Sequence, residues 1–212
     1  MNPTLKQPII TYAELTPNPA AMKFVANKIL LENSLPLEYL NPADAKSSPL
    51  ATALFKFPFV KSVFIAANYV TLFKADTIEW DDVTLELREF LREYLSSGKS
   101  VLSSPLSPVS ASPLPDETEK GGNGESRQEV SHAIPQGELE IKIVNVLEQY
   151  VRPAVEQDGG MIVFRSYKDG VVSLLMRGAC SGCPSSTVTL KAGIEAILKK
   201  FVPEVTEVLS EG

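Results

Sequence analysis

The sequence predicts an α+β protein built as two small mixed α/β units joined by a long tether, and three observations lead there. Each half of the chain mixes strand-like and helix-like hydrophobic patterns. Between them, residues Ser103 to Gly137 hold 7 Ser, 5 Pro and 4 Gly with no aromatic residue. Such a stretch cannot bury enough apolar surface to offset its conformational entropy, so a mobile linker is expected. The only two cysteines of the 212 residues, Cys180 and Cys183, lie in one short loop of the second half. The expected organisation is therefore residues 1–102, linker 103–137 and residues 138–212.

In the first unit, Met22 to Val25 and Ile29 to Leu31 are apolar segments expected to pair across Ala26 to Lys28. Ser48 before Pro49 reads as an N-cap with proline in the first helical turn, opening a short helix through Leu54 and Phe55. Ser62 to Lys74 is rich in Val, Ile, Phe, Tyr and Thr and broken at Asn68, which predicts two strands and a tight turn. After Thr77 the period becomes helical. Val83, Leu87, Phe90, Leu91, Tyr94 and Leu95 form one stripe, and Gly98 is the expected stop. Trp80, at the start of that helix, reads as core.

The second unit opens with a helical stripe of Leu139, Ile143, Leu147, Tyr150 and Val151, which Pro153 should kink or restart. Asp158-Gly159-Gly160 supplies a chain reversal. Met161 to Tyr167 and Val171 to Met176, either side of Lys168-Asp169-Gly170, read as a β-hairpin. Ser185 to Phe201 is a second helix ended by Pro203, and Val205 to Leu209 a last strand. The predicted order is helix-strand-strand-helix-strand, with the Cys-x-x-Cys loop before the last helix.

Composition excludes several functions. A hydrophobic share of 44% rules out wholesale disorder. A formal net charge of −6, half of it in the linker, argues against non-specific binding to nucleic acid or anionic membrane. No window approaches the roughly 20 apolar residues of a membrane span. Two cysteines cannot staple a secreted scaffold of this size. The start of the chain carries Pro3, Pro8, Pro17 and Pro19 and neither a signal-peptide layout nor an Arg-rich amphipathic pattern, so a cytoplasmic location is expected. His132 reads as a solvated linker residue, Lys191 and Glu195 as a weak surface pair, and Lys199 and Lys200 as a solvated face.

The reactive constellation is Arg177-Gly178-Ala179-Cys180-Ser181-Gly182-Cys183-Pro184-Ser185-Ser186-Thr187. Cys183 falls near the helix N-cap, where unpaired N–H groups and the helix dipole lower a thiol pKa and favour thiolate. Ser185 and Thr187 suit capping. The small neighbours leave room for something bulky and soft beside the sulfurs. Three readings compete on spacing alone. An iron–sulfur cluster commonly takes four Cys ligands, so two per chain would need a second copy of the chain, two sulfurs from each, or external thiols. A dithiol–disulfide oxidoreductase is the second, although only 29 residues follow Cys183, too few for a thioredoxin-like fold. A four-thiolate zinc site bridging two chains is the third.

The flanking residues resemble a known family. Val155-Glu156-Gln157-Asp158-Gly159-Gly160, the segment Gly178 to Ser186, and Thr189-Leu190-Lys191-Ala192-Gly193-Ile194-Glu195 closely resemble the C-terminal domain of NifU, in family order and spacing. The first unit is similar to the domain that precedes it in Nfu-type proteins, through Thr16-Pro17-Asn18-Pro19, Met22-Lys23-Phe24, Ser48-Pro49-Leu50-Ala51, Leu54-Phe55, Val63-Phe64-Ile65 and Asn68-Tyr69-Val70-Thr71. The resemblance implies a non-enzymatic iron–sulfur cluster scaffold or carrier. Its cluster, usually [4Fe-4S] and alternatively [2Fe-2S], would sit between the motifs of two protomers, with Cys180 and Cys183 as this chain's ligands. Implied partners are an upstream assembly scaffold, apo iron–sulfur acceptor proteins and a second copy of the chain. The sequence departs from full-length NifU in having no cysteine before Cys180, and its linker is long for the family.

Overall fold

The computed structural model describes residues 8–32, 36–103, 133, 135, 137–181 and 184–211, the side chains of 184–187 and 211 excepted. The expected linker and His132 lie almost wholly outside the described residues, as do Cys183 and the side chains of Ser185 and Thr187.

The first unit runs β1 (Thr11–Leu15), β2 (Ala21–Ala26), β3 (Leu37–Tyr39), α1 (Pro49–Leu54), β4 (Val60–Ala66), β5 (Tyr69–Lys74) and α2 (Trp80–Ser96). Among the described residues its strands form one five-stranded antiparallel sheet in the order β1-β2-β5-β4-β3. β4 and β5 are the two strands expected around Asn68. α1 begins where Ser48-Pro49 places it: Ser48 Oγ accepts from the Ala51 N–H at 3.1 Å and donates to Val101 O at 2.7 Å. α2 buries Trp80, Val83, Leu87, Leu91, Tyr94 and Leu95, while Phe90 is half-buried. The indole N–H of Trp80 donates to Pro19 O at 3.0 Å, and Gly98 ends the element with φ +74°.

One expectation fails here. Ile29 to Leu31 is not a strand; the Leu30 and Leu31 N–H groups instead bond Ala67 O in the β4–β5 turn. The partner of β2 is β1, in the register Thr11↔Ala26 to Leu15↔Met22.

The second unit runs α3 (Glu138–Val146), a π-helical turn at Leu147–Val151, α4 (Arg152–Gln157), β6 (Gly160–Lys168), β7 (Val171–Gly178), α5 (Pro184–Phe201) and β8 (Glu207–Glu211). Pro153 has no N–H and its ring clashes with the carbonyl one turn back, and the chain absorbs this as the wide turn before α4. β6 and β7 form the expected hairpin, turned by Asp169 (φ +51°) and Gly170 (φ +85°). After the α5 crossover, β8 pairs parallel to β7, two residues later than the sequence suggests. Lys191 pairs with Glu207 at 3.8 Å and Glu195 with Lys199. The Glu195 carboxyl is lowered first by its hydrogen bonds to Lys199 and the Val208 N–H and last by the charge of Lys191, so the expected Lys191–Glu195 pair acts weakly and at a distance.

Strand alternation decides what each sheet face covers. In the first sheet Met22, Phe24, Val63, Ile65, Val70 and Leu72 point to the core under α1 and α2. In the second, Ile162, Phe164, Leu174 and Met176 pack with Ile143, Leu147, Ile194 and Leu198 of the helices. The opposite faces meet each other: Val25, Phe64, Ala66 and Tyr69 pack on Met161, Val163 and Leu175 in one buried cluster. The described architecture is therefore layered, with helices outside and two sheets face to face inside. Strands β2, β4 and β5 are covered on both sides, which is why they read as near-continuous apolar runs instead of clean alternation.

Candidate metal centre

Cys180 sits two residues past the end of β7, in a turn that the glycines shape. The sheet register places Gly160 opposite Gly178. Gly178 has φ +62°, and a Cβ there would stand 2.8 Å from Gly159 O and 3.0 Å from Gly160 Cα. A Cβ on Gly160 would stand only 2.4 Å from Cys180 Sγ and 2.9 Å from Arg177 O. The sulfur thus rests on a bare backbone that only glycine provides. The turn closes through the Ser181 N–H and Oγ–H, both donating to Gly178 O at 2.9 and 2.8 Å, and through the Ala179 N–H donating to Gly159 O at 3.2 Å.

Cys180 is only 5% exposed and belongs to the second core. Burial, and after it the nearby Asp158 charge, pushes its thiol up to about 12 from an ordinary 9.0. At Cys180 burial thus works against the lowering expected near the helix N-terminus. The Asp158 carboxyl is itself raised by burial, against the opposing pull of Lys23. A cavity of about 520 Å³ opens beside the sulfur, lined by Tyr150, Val151 and Ala154 on one side and Leu190, Ile194 and Ile197 on the other. Tyr150, expected in the buried stripe, is 44% exposed and stacks on Phe201 with centroids 4.5 Å apart.

The first unit reaches this loop with Asn18, Lys23, Tyr69 and Thr71, which lie in the segments that resemble the family but were given no role, and with Glu38, which sequence reasoning did not single out. Asn18 Nδ2 donates to both Ala179 O and Ser181 O at 3.2 Å. Glu38 accepts from the Gly178 N–H and from Arg177 Nη1, each at 3.0 Å. Thr71 Oγ1 donates to Gly159 O at 2.7 Å, Tyr69 OH to Gly160 O at 3.2 Å and Lys23 Nζ to Gln157 O at 3.2 Å. The available signal was Asn18 between Pro17 and Pro19, a polar residue in a segment with neither helical nor strand periodicity. Glu38 carried none, since a single Glu in Leu37-Glu38-Tyr39 reads as ordinary solvent-facing alternation.

A chain with this second unit, a cysteine pair on the loop between hairpin and last helix, and a separate sheet unit ahead of it defines a class of small thiol-bearing binding proteins. Two family models match it: "Scaffold protein Nfu/NifU N terminal" over residues 10–98, and "NifU-like domain" over residues 143–209. The chain is 33% identical over 191 residues to the Homo sapiens protein named NFU1 iron-sulfur cluster scaffold homolog, mitochondrial, covering 90% of this chain and 67% of that one. The protein of the same name from Drosophila sechellia is 35% identical over 193 residues, covering 91% of this chain and 62% of its own length. The chain thus spans about 62% of the Drosophila relative's length. A solved NifU-like protein from Saccharomyces cerevisiae covers 49% of this chain and 92% of its own, with 24% identity and a TM-score of 0.42. The chain belongs to the Nfu/NifU scaffold family. No helix among the described residues is long and apolar enough to cross a membrane.

Proposed function

We propose that this chain is an iron–sulfur cluster carrier whose cargo, a [4Fe-4S] or alternatively a [2Fe-2S] cluster, is held by Cys180 and Cys183 from each of two copies. The observation that carries the reading is the cysteine pair itself, Cys180 and Cys183, set on the loop between β7 and α5 within the matched NifU-like domain. The family supports the choice of cargo, since both relatives are named as cluster scaffolds. With two thiols per chain, four-thiolate ligation without added thiol takes a second copy of the chain. Release follows by ligand exchange: a thiolate of an apo acceptor binds iron as one carrier thiolate leaves, repeated site by site, with no net redox change. The upstream donor is an assembly scaffold, since this chain has no further cysteine with which to build a cluster.

In this reading residues 138–212 hold the cargo, 103–137 are the linker and 1–102 the docking unit. The cytoplasmic location expected from the sequence is not supported by the relatives' names, which say mitochondrial. Subcellular fractionation of the tagged chain against matrix and cytosolic markers assigns the compartment.

The test is anaerobic reconstitution with iron, sulfide and thiol. The reading expects brown protein with a broad band near about 400 nm, lost in Cys180→Ala and in Cys183→Ala. Colourless zinc-bearing protein would instead identify a zinc-bridged adaptor, and colourless metal-free protein with a reversible Cys180–Cys183 disulfide an oxidoreductase.

A further inference from the structure

We propose that the first unit is a latch for the cysteine loop: its sheet face binds the loop in the cluster-free chain, and it must let go before Cys180 can serve as a ligand. The ligand role in this statement rests on the carrier reading above; the latch itself rests on contacts alone.

The contacts fall on the loop's backbone. Asn18 holds the carbonyls of Ala179 and Ser181, the residues on either side of Cys180. Glu38 holds the N–H of Gly178 and the guanidinium of Arg177 just before it, through an ion pair whose side chains are 4% and 16% exposed. Thr71 and Tyr69 hold the carbonyls of Gly159 and Gly160, the strand end on which the sulfur lies. Main-chain groups of Gly159, Gly160, Gly178, Ala179 and Ser181 are thus gripped from the other unit, so that, the Arg177 guanidinium apart, the grip reads the loop's conformation.

Turning Cys180 outward rotates the two peptide units beside it; one carries the Ala179 carbonyl that Asn18 holds, and the other leads through Ser181 to the second carbonyl held. The buried position of Cys180 and the docked position of the first unit are therefore one state. The apolar patch of Val25, Phe64, Ala66 and Tyr69 against Met161, Val163 and Leu175 supplies the remaining complementarity. A thiolate ligand is incompatible with this state, because Cys180 then lies in an apolar core. The partner that fits the sheet face of the first unit is thus the chain's own cysteine unit, and a second copy's cysteine loop can reach Cys180 only after that contact opens.

The test uses the intact cluster-free chain and peptide-resolved alkylation of Cys180 by iodoacetamide. Asn18→Asp is the decisive variant. Its remaining oxygen can still accept from the Ala20 N–H, as Asn18 Oδ1 does at 3.0 Å, so the local turn is kept. The new carboxylate meets two carbonyl oxygens. Labelling of Cys180 is expected to quicken about tenfold, toward the low end of what two net hydrogen bonds contribute, while amide exchange of α2 and β6 stays unchanged. Thr71→Val, which removes a single bond at nearly constant volume, is expected to give about threefold, and it decides the matter if Asn18→Asp disturbs the fold. Labelling at the wild-type rate in the folded variants overturns the latch. Cluster loading during reconstitution should quicken in the same order. If no variant and no wild-type chain takes up a cluster, the carrier reading fails while the labelling still judges the latch.

Discussion

Replacing Gly160 by alanine places a methyl group where the structure has no room. The new Cβ would lie 2.4 Å from Cys180 Sγ, 2.9 Å from Arg177 O and 3.0 Å from Cys180 Cβ. The sulfur ends a short side chain and can turn aside. The Arg177 carbonyl belongs to β7, directly across the ladder, and can move only by distorting the hairpin. Overpacking of a tight core costs about 1–3 kcal/mol, and the backbone clash puts this site at the upper end, at about 3 kcal/mol. Native-state hydrogen exchange of the β6 and β7 amides measures the loss locally. An opening free energy lower by about 3 kcal/mol quickens exchange on the order of 150-fold. Adding Cys180→Ala should return part of the loss by removing the sulfur contact, the carbonyl contact retaining the rest. Exchange within a factor of about two of wild type would refute the close packing of sulfur on glycine.

Other perturbations follow from the same contacts. Ser48→Ala takes away, at a fully buried side chain, both the cap of α1 and the donor to Val101 O, and should lower stability by about 1–2 kcal/mol in urea unfolding. Phe64→Ala opens a cavity at the meeting of the two sheets and should cost about 3–5 kcal/mol by the same measurement. Tyr69 is raised above the ordinary phenol value of 10.0, first by burial and then by the Glu156 and Cys180 charges. A raised folded pKa gives stability that is complete below 10.0 and is lost as pH rises further. The urea midpoint should therefore fall more gently above pH 10.0 in Tyr69→Phe than in wild type, and absorbance titration should show the variant lacking the latest-ionising tyrosine.

Local chemistry was legible wherever a residue acts on its own neighbours. Ser48-Pro49 caps α1, Asn68 separates β4 from β5, Asp169-Gly170 turns the hairpin and the 3.6-residue stripe of α2 faces the core. The partner of β2 was missed because β1 is an edge strand, with Tyr12 48% and Leu15 83% exposed, so its alternation is weak. The pairing of the two sheets was missed for a related reason. Lys23 and Thr71 on the shared face are polar and carry no local sign of burial, which comes from partners distant in sequence: Lys23 lies against Glu14 and the Tyr69 ring, and Thr71 bonds Gly159. The signal that existed was the continuity of Met22 to Ala26 and Val63 to Ala66, which a sheet with one wet face would not need. At the site, the position of the two cysteines was plain from the sequence. The burial of Cys180 was not, because it depends on the register that sets Gly160 against Gly178 and on a unit some 140 residues earlier in the chain.

In the carrier we propose, two chains together hold one cluster through four thiolates. Native mass spectrometry of the anaerobically reconstituted protein weighs chain and cargo at once. The account predicts a dimer whose mass exceeds two polypeptides by a single iron–sulfur cluster, and an iron-free monomer when either Cys180→Ala or Cys183→Ala is used. A monomer that retains a complete cluster without added thiol, or a wild-type chain that takes up no iron, would contradict it.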